Sequence, residues 1–337
     1  MIEWLSRSGR VWNFTIYGPW GSGKSEFARA FTWSMKNKNE NIVLYLDLSR
    51  EKSDIVLLSD YDKSKLIMEV IKTSLGKLGE IILKMYNIIK KIVEICKLEN
   101  NKFIIFIDEV KHVLHYHGDS IEYLVSSAEN VARDCARDLN LESINIIFIT
   151  SEQTLARDFL KYEGKFLTTL LFWHLDKESF SKLMKNLNFH DKHIIDILYR
   201  LCGGCPRLAI DFVKMYKQDI MLLVLDYVDR FMRALLKYLR VSGKCFNDVL
   251  KEFKLILDNV DNVELCGIYD IFLEHNITIP IVPSFKQLSQ IQGNYVGKRV
   301  GFQLPLYYYI TRLIFEKGSI DIDSDDVKRL VSYLESS

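Results

Sequence analysis

Gly18-Pro19-Trp20-Gly21-Ser22-Gly23-Lys24-Ser25 lies between two stretches of different period. Before it, Val11 to Tyr17 is a short apolar run that reads as a strand; after it, Ser25 to about Met35 carries a helical pattern. A G-x-x-x-x-G-K-[ST] string in a strand–loop–helix setting predicts a phosphate-binding loop. Gly18, Gly21 and Gly23 let the backbone turn tightly and aim successive N–H groups at an anion, at the positive end of a helix. Lys24 then reaches the β- and γ-phosphates, and the Ser25 hydroxyl takes Mg²⁺. A glycine-rich turn that merely contains Lys-Ser is the bland alternative, and the flanking strand and helix tell against it. The chain is expected to bind a nucleoside triphosphate.

Lys102 is followed by Phe103-Ile104-Ile105-Phe106-Ile107-Asp108-Glu109, an apolar run closed by two carboxylates. A run apolar on both faces fits a central parallel strand covered by helices on each side. Asp108 then falls at the carboxyl end of the sheet, where open α/β folds bind ligands. There it could hold Mg²⁺ directly or through water, with Glu109 placed to orient and deprotonate an attacking water. An acidic turn after a buried strand is the plainer account. The loop at Gly18 favours the functional one, and Asp-Glu favours hydrolysis over simple binding.

Around these motifs the chain alternates strands and helices. Asn41 to Asp47, Ser143 to Ile149 and Thr169 to Trp173 read as further strands. Helical patterns run from about Asp62 to Leu98 and from Ser120 to about Leu139, the latter burying Ile121, Leu124, Val125, Ala128, Ala132 and Cys135. Such alternation predicts a parallel sheet with right-handed crossovers. From Lys177 helices take over: Lys177 to Leu187, His190 to Leu201, and Pro206 to Lys217 with Pro at the first helical position. Beyond Asp219 come more helices, a β-rich stretch from Ile277 to Gln303, a helix near Tyr307 to Lys317 and a last one from Asp325. A chain of 337 residues suffices for two or three packed units. A hydrophobic fraction of 48% with only 5 prolines excludes long disorder. A net charge of +1 argues against a surface built wholly for nucleic acid. No apolar run spans a membrane and no signal-peptide core precedes Phe14, so a soluble, cytoplasmic protein is expected.

Two further strings bear on the nucleotide. The strand ending at Thr150-Ser151 would bring a hydroxyl to the γ-phosphate or the lytic water if it lies between the loop strand and the Asp108 strand. Gly203-Gly204-Cys205-Pro206-Arg207 opens a helix with an arginine in its first turn, suited to a lid whose guanidinium meets phosphate charge.

These strings, in this order, resemble the archaeal ATPase family, in the STAND branch of AAA+-related P-loop NTPases and akin to archaeal origin-recognition initiators. The resemblance covers roughly Val11 to Tyr216; the first two motifs specify only the P-loop class, and Gly-Gly-x-Pro-Arg narrows it. It implies an ATPase core over 1–175, a helical lid over 176–220 and a winged-helix-like domain over 221–337, with ATP and Mg²⁺ as cofactors. Gly18, Pro19, Trp20, Gly21, Ser22, Gly23, Lys24, Ser25 and Glu26 would then line the nucleotide. Ser25 and Asp108 would hold Mg²⁺, Glu109 would be the base, Thr150 or Ser151 a sensor, and Pro206 and Arg207 a second sensor. No unambiguous arginine finger stands out: Arg133, Arg137 and Arg157 are candidates, of which Arg133 and Arg137 read more simply as a solvated helix face, so hydrolysis driven by assembly into an oligomer is left open.

Other patterns carry less. Cys202-Gly203-Gly204-Cys205 lacks the second pair a zinc site needs, and His112, His115 and His117 have no matching Cys or carboxylate set. Arg230, Arg233, Lys237, Arg240 and Lys244 form a basic stripe at helical spacing, and Lys298-Arg299 reads as the tip of a β-wing. These make duplex DNA a candidate partner of the C-terminal part. Acidic residues slightly outnumber basic ones over 221–337, which equally suits a protein partner.

Overall fold

The structure is a computed structural model that describes residues 13–35, 41–48, 56–58, 81–96, 101–111, 120–164, 167–281 and 293–336. They fall into two compact units. One holds the described residues up to Tyr17, with Lys24–Ser151 and Leu155–Leu170; the other holds Gly18–Gly23, Glu152–Thr154 and the chain from Leu171 on.

The first unit is built on a six-stranded sheet. Its strands are β1 (Asn13–Tyr17), β2 (Asn41–Asp47), β3 (Val56–Leu58), β4 (Lys102–Asp108), β5 (Ser143–Thr150) and β6 (Leu167–Leu171), in the order β3-β2-β4-β5-β1-β6. β2, β4, β5 and β1 run parallel, whereas β3 pairs antiparallel with β2 and was not expected from the sequence. The expected helical patterns become α1 (Lys24–Ser34), α2 (Ile81–Cys96) and α3 (Ile121–Asp138); α4 (Gln153–Leu160) was not expected from the sequence. The first part of the helical region expected from Asp62, and His112, His115 and His117, lie outside the described residues. The strands are apolar on both faces for the reason inferred. Phe103, Ile105 and Ile107 share a core with Met85, Ile89 and Ile92 of α2 and Leu124, Ala128 and Ala132 of α3. Phe106, alternating with them, meets Phe31 of α1 edge-on at 5.6 Å. α3 starts where Ser120 accepts the Tyr123 N–H as N-cap; Ile121 is only half-buried, and the other five positions expected inside are buried.

In the second unit, α5 (Lys177–Asn186), α6 (Lys192–Cys202), α7 (Pro206–Lys214), α8 (Ile220–Ser242), α9 (Phe246–Asp258) and α10 (Tyr269–Glu274) follow one another. A 3₁₀ turn, Val260–Leu265, joins α9 to α10. A two-stranded antiparallel pair, β7 (Thr278–Pro280) with β8 (Val300–Phe302), precedes α11 (Pro305–Lys317) and α12 (Ser324–Ser336). Asp176, Asp191 and Asp219 cap α5, α6 and α8, and Gly203, Gly243 and Gly318 close α6, α8 and α11 in the left-handed region. One hydrophobic core runs from Phe180 on α5 to Leu334 on α12, so 177–214 and 220–334 pack together.

Lys298-Arg299 lies at the end of the β7–β8 pair from which the connecting segment leaves. Asp261 accepts from the backbone N–H groups of Lys298 (2.9 Å), Arg299 (2.8 Å) and Val300 (3.0 Å), and Arg299 O still pairs with the Ile281 N–H. The dipeptide is therefore tied to the 3₁₀ turn at the loop end of the β7–β8 pair. Gly297 is glycine because the Asp261 carboxylate occupies the space a Cβ would need.

Candidate nucleotide site

In the first unit the parallel strands end level. Asp47 of β2 is in register with Asp108 of β4, Asp108 with Ile149 of β5, and Thr150 of β5 with Tyr17 of β1. β5 therefore lies between the Asp108 strand and the strand leading to the glycine loop, the condition under which Thr150 or Ser151 was expected near a phosphate. Thr150 is buried and Ser151 half-buried.

Lys24 and Ser25 open α1, Lys24 buried. The Ser25 hydroxyl bonds to the Asp108 carboxylate, which also accepts the Tyr45 phenol at 2.7 Å and the Glu109 N–H at 3.0 Å. Burial pushes the Asp108 carboxyl up. The Ser25, Tyr45 and Glu109 hydrogen bonds oppose that rise and the nearby Asp47 charge adds to it, for a net upward shift. Asp47 is held by Arg29 at 3.1 Å; Arg29 also binds Glu26 at 2.6 Å and lies over the Tyr45 ring at 5.4 Å. Glu26, expected beside the nucleotide, is thus an exposed partner of Arg29. Ser25 and Asp108 form an oxygen-only donor pair in direct contact, which fits Mg²⁺. Glu109 follows with φ +57, a left-handed conformation a side chain adopts only at a cost.

The second unit builds the loop itself. Gly21 (φ +76) and Gly23 (φ +96) use backbone angles that favour glycine. Gly18 must lack a side chain because the Phe172 carbonyl lies where its Cβ would be, and Gln153 donates to the Gly18 carbonyl at 3.2 Å. Ser22 is buried and its N–H turns back to the Pro19 carbonyl at 3.2 Å. The Gly-Gly-x-Pro-Arg string meets this loop directly. The Arg207 N–H donates to the Gly21 carbonyl at 3.2 Å, its guanidinium lies 5.7 Å over the Trp20 ring, and its Nε binds Asp211 at 3.0 Å. Pro206 holds the first position of α7. The Cys205 sulfur lies 3.7 Å from the Trp20 and Gly21 carbonyls and so packs against the loop, while Cys202 is buried in the hydrophobic core, and neither is in a disulfide. Among the described residues no cluster of His, Cys, Asp and Glu could hold a metal by itself. Gln303, just after β8, accepts the Trp20 N–H at 2.8 Å.

The structure thus joins Ser25 to Asp108 in one unit and Arg207 to Trp20 and Gly21 in the other. It places Arg133 and Arg137 on the outer face of α3, engaged by Glu129 and Asn130 and by Asp134 and Asp138. Sequence reading missed Arg29, Tyr45, Asp47, Gln153 and Gln303. A phenol inside the apolar run of β2 and a second strand ending in Asp were the available signals for Tyr45 and Asp47. The two glutamines offered none, because their partners lie 135 and 283 residues away.

Residues 1–212 match the family described as an ATPase domain predominantly from Archaea. Curated protein sequences give no match. Among solved structures, the chain is similar to the ORC2 protein of Aeropyrum pernix in its ADPNP–ADP complexes (13% identity, 99% of this chain and 93% of that one, TM-score 0.46). It is also similar to Cdc6p of Pyrobaculum aerophilum (13% identity, 99% and 90%, TM-score 0.37). AMPPCP-bound DnaA of Aquifex aeolicus is a third (16% identity, 99% and 90%, TM-score 0.38). No described helix is long and apolar enough to cross a membrane.

Proposed function

Because the chain belongs to the ATPase domain family found predominantly in Archaea, we propose that it is a slow Mg²⁺-dependent ATPase whose output is a conformational switch. The observation that carries the switch is the bond from the Trp20 N–H to Gln303 Oε1. A residue of the helical unit, just beyond β8, grips the phosphate loop by its backbone. ATP entering the loop competes with Gln303 for that N–H and with Asp211 for the Arg207 guanidinium. Binding energy thereby loosens or resets the packing of the C-terminal part around the loop.

The chemistry follows from the residues at the strand ends. Glycine-loop N–H groups and Lys24 hold the phosphates, and Ser25 with Asp108 holds Mg²⁺, which supplies positive charge to the phosphate oxygens. Glu109 orients and deprotonates water, Thr150 or Ser151 senses the γ-phosphate, and Arg207 stabilises phosphate charge. The division into core 1–175, lid 176–220 and winged-helix-like domain 221–337 serves this reading as a functional one, with the last two sharing a core. A protein partner suits the C-terminal part better than duplex DNA. Arg230, Arg233, Lys237 and Lys244 are paired with Asp226, Asp229, Glu274 and Glu252, and α10, beside the β7–β8 pair, carries Asp270 and Glu274 and no basic residue.

Phosphate release from Mg·ATP tests this directly, in the wild type, Lys24→Ala and Glu109→Gln, with and without duplex DNA. Turnover lost in both variants and indifferent to DNA is expected. Trp20 fluorescence, isolated by subtraction of a Trp20→Phe variant, should change on ATP addition and should already resemble the ATP-bound signal in Gln303→Ala. ATP binding without phosphate release would reduce the protein to a nucleotide-gated scaffold. A DNA-stimulated rate that falls steeply with salt would promote the DNA reading.

A further inference from the structure

We propose that Tyr45 is a positioning residue for the carboxylate of Asp108, acting from the neighbouring strand to fix its orientation toward Ser25; this rests on the reading of Asp108 as a Mg²⁺ ligand. The geometry comes first. Tyr45 and Asp108 are both about 2% exposed, and the phenol is 2.7 Å from Asp108 Oδ2. A phenol buried in a sheet needs a polar partner, and two carboxylates lie at the ends of β2 and β4, Asp47 and Asp108, in register. Arg29 decides between them. It binds Asp47 at 3.1 Å and covers the Tyr45 ring, so Asp47 is neutralised and the phenol is left to Asp108.

Arg29 stands one helical turn beyond Ser25 on the same face of α1. α1 is therefore tied to the strand ends twice, by Ser25 to Asp108 and by Arg29 to Asp47, with Tyr45 bracing the carboxylate between the two ties. Removing the phenol oxygen frees Oδ2, lets the carboxylate rotate, and leaves Ser25 with a partner of variable direction. Lys24 and the glycine loop are untouched. The defect should appear in metal affinity and spare nucleotide affinity measured without metal. Partners that orient a metal ligand commonly carry ten- to a hundredfold in metal affinity.

The test is a Mg²⁺ titration of binding of a fluorescent N-methylanthraniloyl ADP to the full chain, comparing wild type, Tyr45→Phe and Asp108→Asn, with each affinity also measured in EDTA. Tyr45→Phe should raise the Mg²⁺ concentration for half-maximal tightening roughly tenfold and leave the EDTA affinity within about twofold. A wild-type titration in Tyr45→Phe, with the Mg²⁺ effect lost in Asp108→Asn, would remove Tyr45 from the metal site while keeping Asp108 in it. A weakened EDTA affinity in Tyr45→Phe would make its role merely structural. No Mg²⁺ response lost in Asp108→Asn would sink the metal reading itself, and the proposal with it. If Tyr45→Phe does not fold, Arg29→Lys decides. It keeps a charge beside Asp47 but loses the fork and the cover over the ring, and it should shift the Mg²⁺ midpoint in the same direction by a smaller factor. An unshifted midpoint there overturns the proposal.

Discussion

At Glu109 the chain holds a non-glycine residue at φ +57 immediately after the buried carboxylate of Asp108. A Cβ in the left-handed region crowds the following carbonyl and costs about 1–2 kcal/mol. That cost persists here because both sides are fixed: the Glu109 N–H is committed to Asp108 Oδ1 and the Asp108 carbonyl receives the Leu48 N–H. The kink is what carries the side chain out of the line of β4 at the strand's end. Strain of this kind is retained at sites where geometry matters more than stability. Glu109→Gly and Glu109→Ala both delete the carboxylate, but only glycine accepts the backbone angle freely. The glycine variant should be the more stable of the two by about 1 kcal/mol, read as the difference in thermal or urea unfolding. Equal stabilities would mean that the φ relaxes once the carboxylate is gone, and that the backbone does not impose the kink.

At the scale of elements, local pattern carried far. The strand–loop–helix around Gly18 and the Asp108 strand were legible because periodicity and glycine spacing are local. β3 was not, since three residues give no period to read. The β7–β8 pair shows a different failure. Its strands lie where a β-rich stretch was expected, but the clamp on Lys298-Arg299 was not legible because the partner that pins it, Asp261, lies 37 and 38 residues earlier. That clamp makes a pH prediction. Burial raises the Asp261 carboxyl, but the N–H groups of Arg299, Lys298 and Val300, with the Arg299 charge, outweigh it and hold the carboxyl below its ordinary value. A depressed carboxylate contributes stability that is complete above the unfolded value, near pH 4, and is lost as pH falls through the lower folded value. Asp261→Asn should therefore cost about 1–3 kcal/mol at pH 7, since three backbone donors keep only one carbonyl oxygen between them. Melting curves from pH 7 to pH 3 should show the gap to wild type closing only below about pH 4. A gap that stays constant to pH 3 would show that shape, and not charge, holds the clamp.

On the scale of the molecule, helical periodicity told which face of each helix is buried but not against what. The boundary expected at 220, between a lid and a winged-helix-like domain, therefore falls across a continuous core. Phe231 on α8 is the place to probe it. It is fully buried, with its ring 6.1 Å from Phe253 of α9, 5.3 Å from Phe272 of α10 and 6.3 Å from Tyr307 of α11. Truncation to alanine should cost about 3–5 kcal/mol, the transfer of the ring plus the cavity it leaves. If 177–214 and 220–334 unfold as one body, that loss reaches helices that never touch Phe231. Hydrogen exchange should then quicken by roughly two orders of magnitude or more in α7, around Phe212, as well as in α11 around Ile310. Acceleration confined to α8–α11, with α7 protected as in the wild type, would show two folding bodies behind one contiguous core. In that case the lid could move without its neighbour. If α7 exchanges along with the rest, a change at the phosphate loop that reaches Arg207 or Gln303 is felt through the whole helical unit, since α7 and the β8–α11 junction are then parts of one cooperative body.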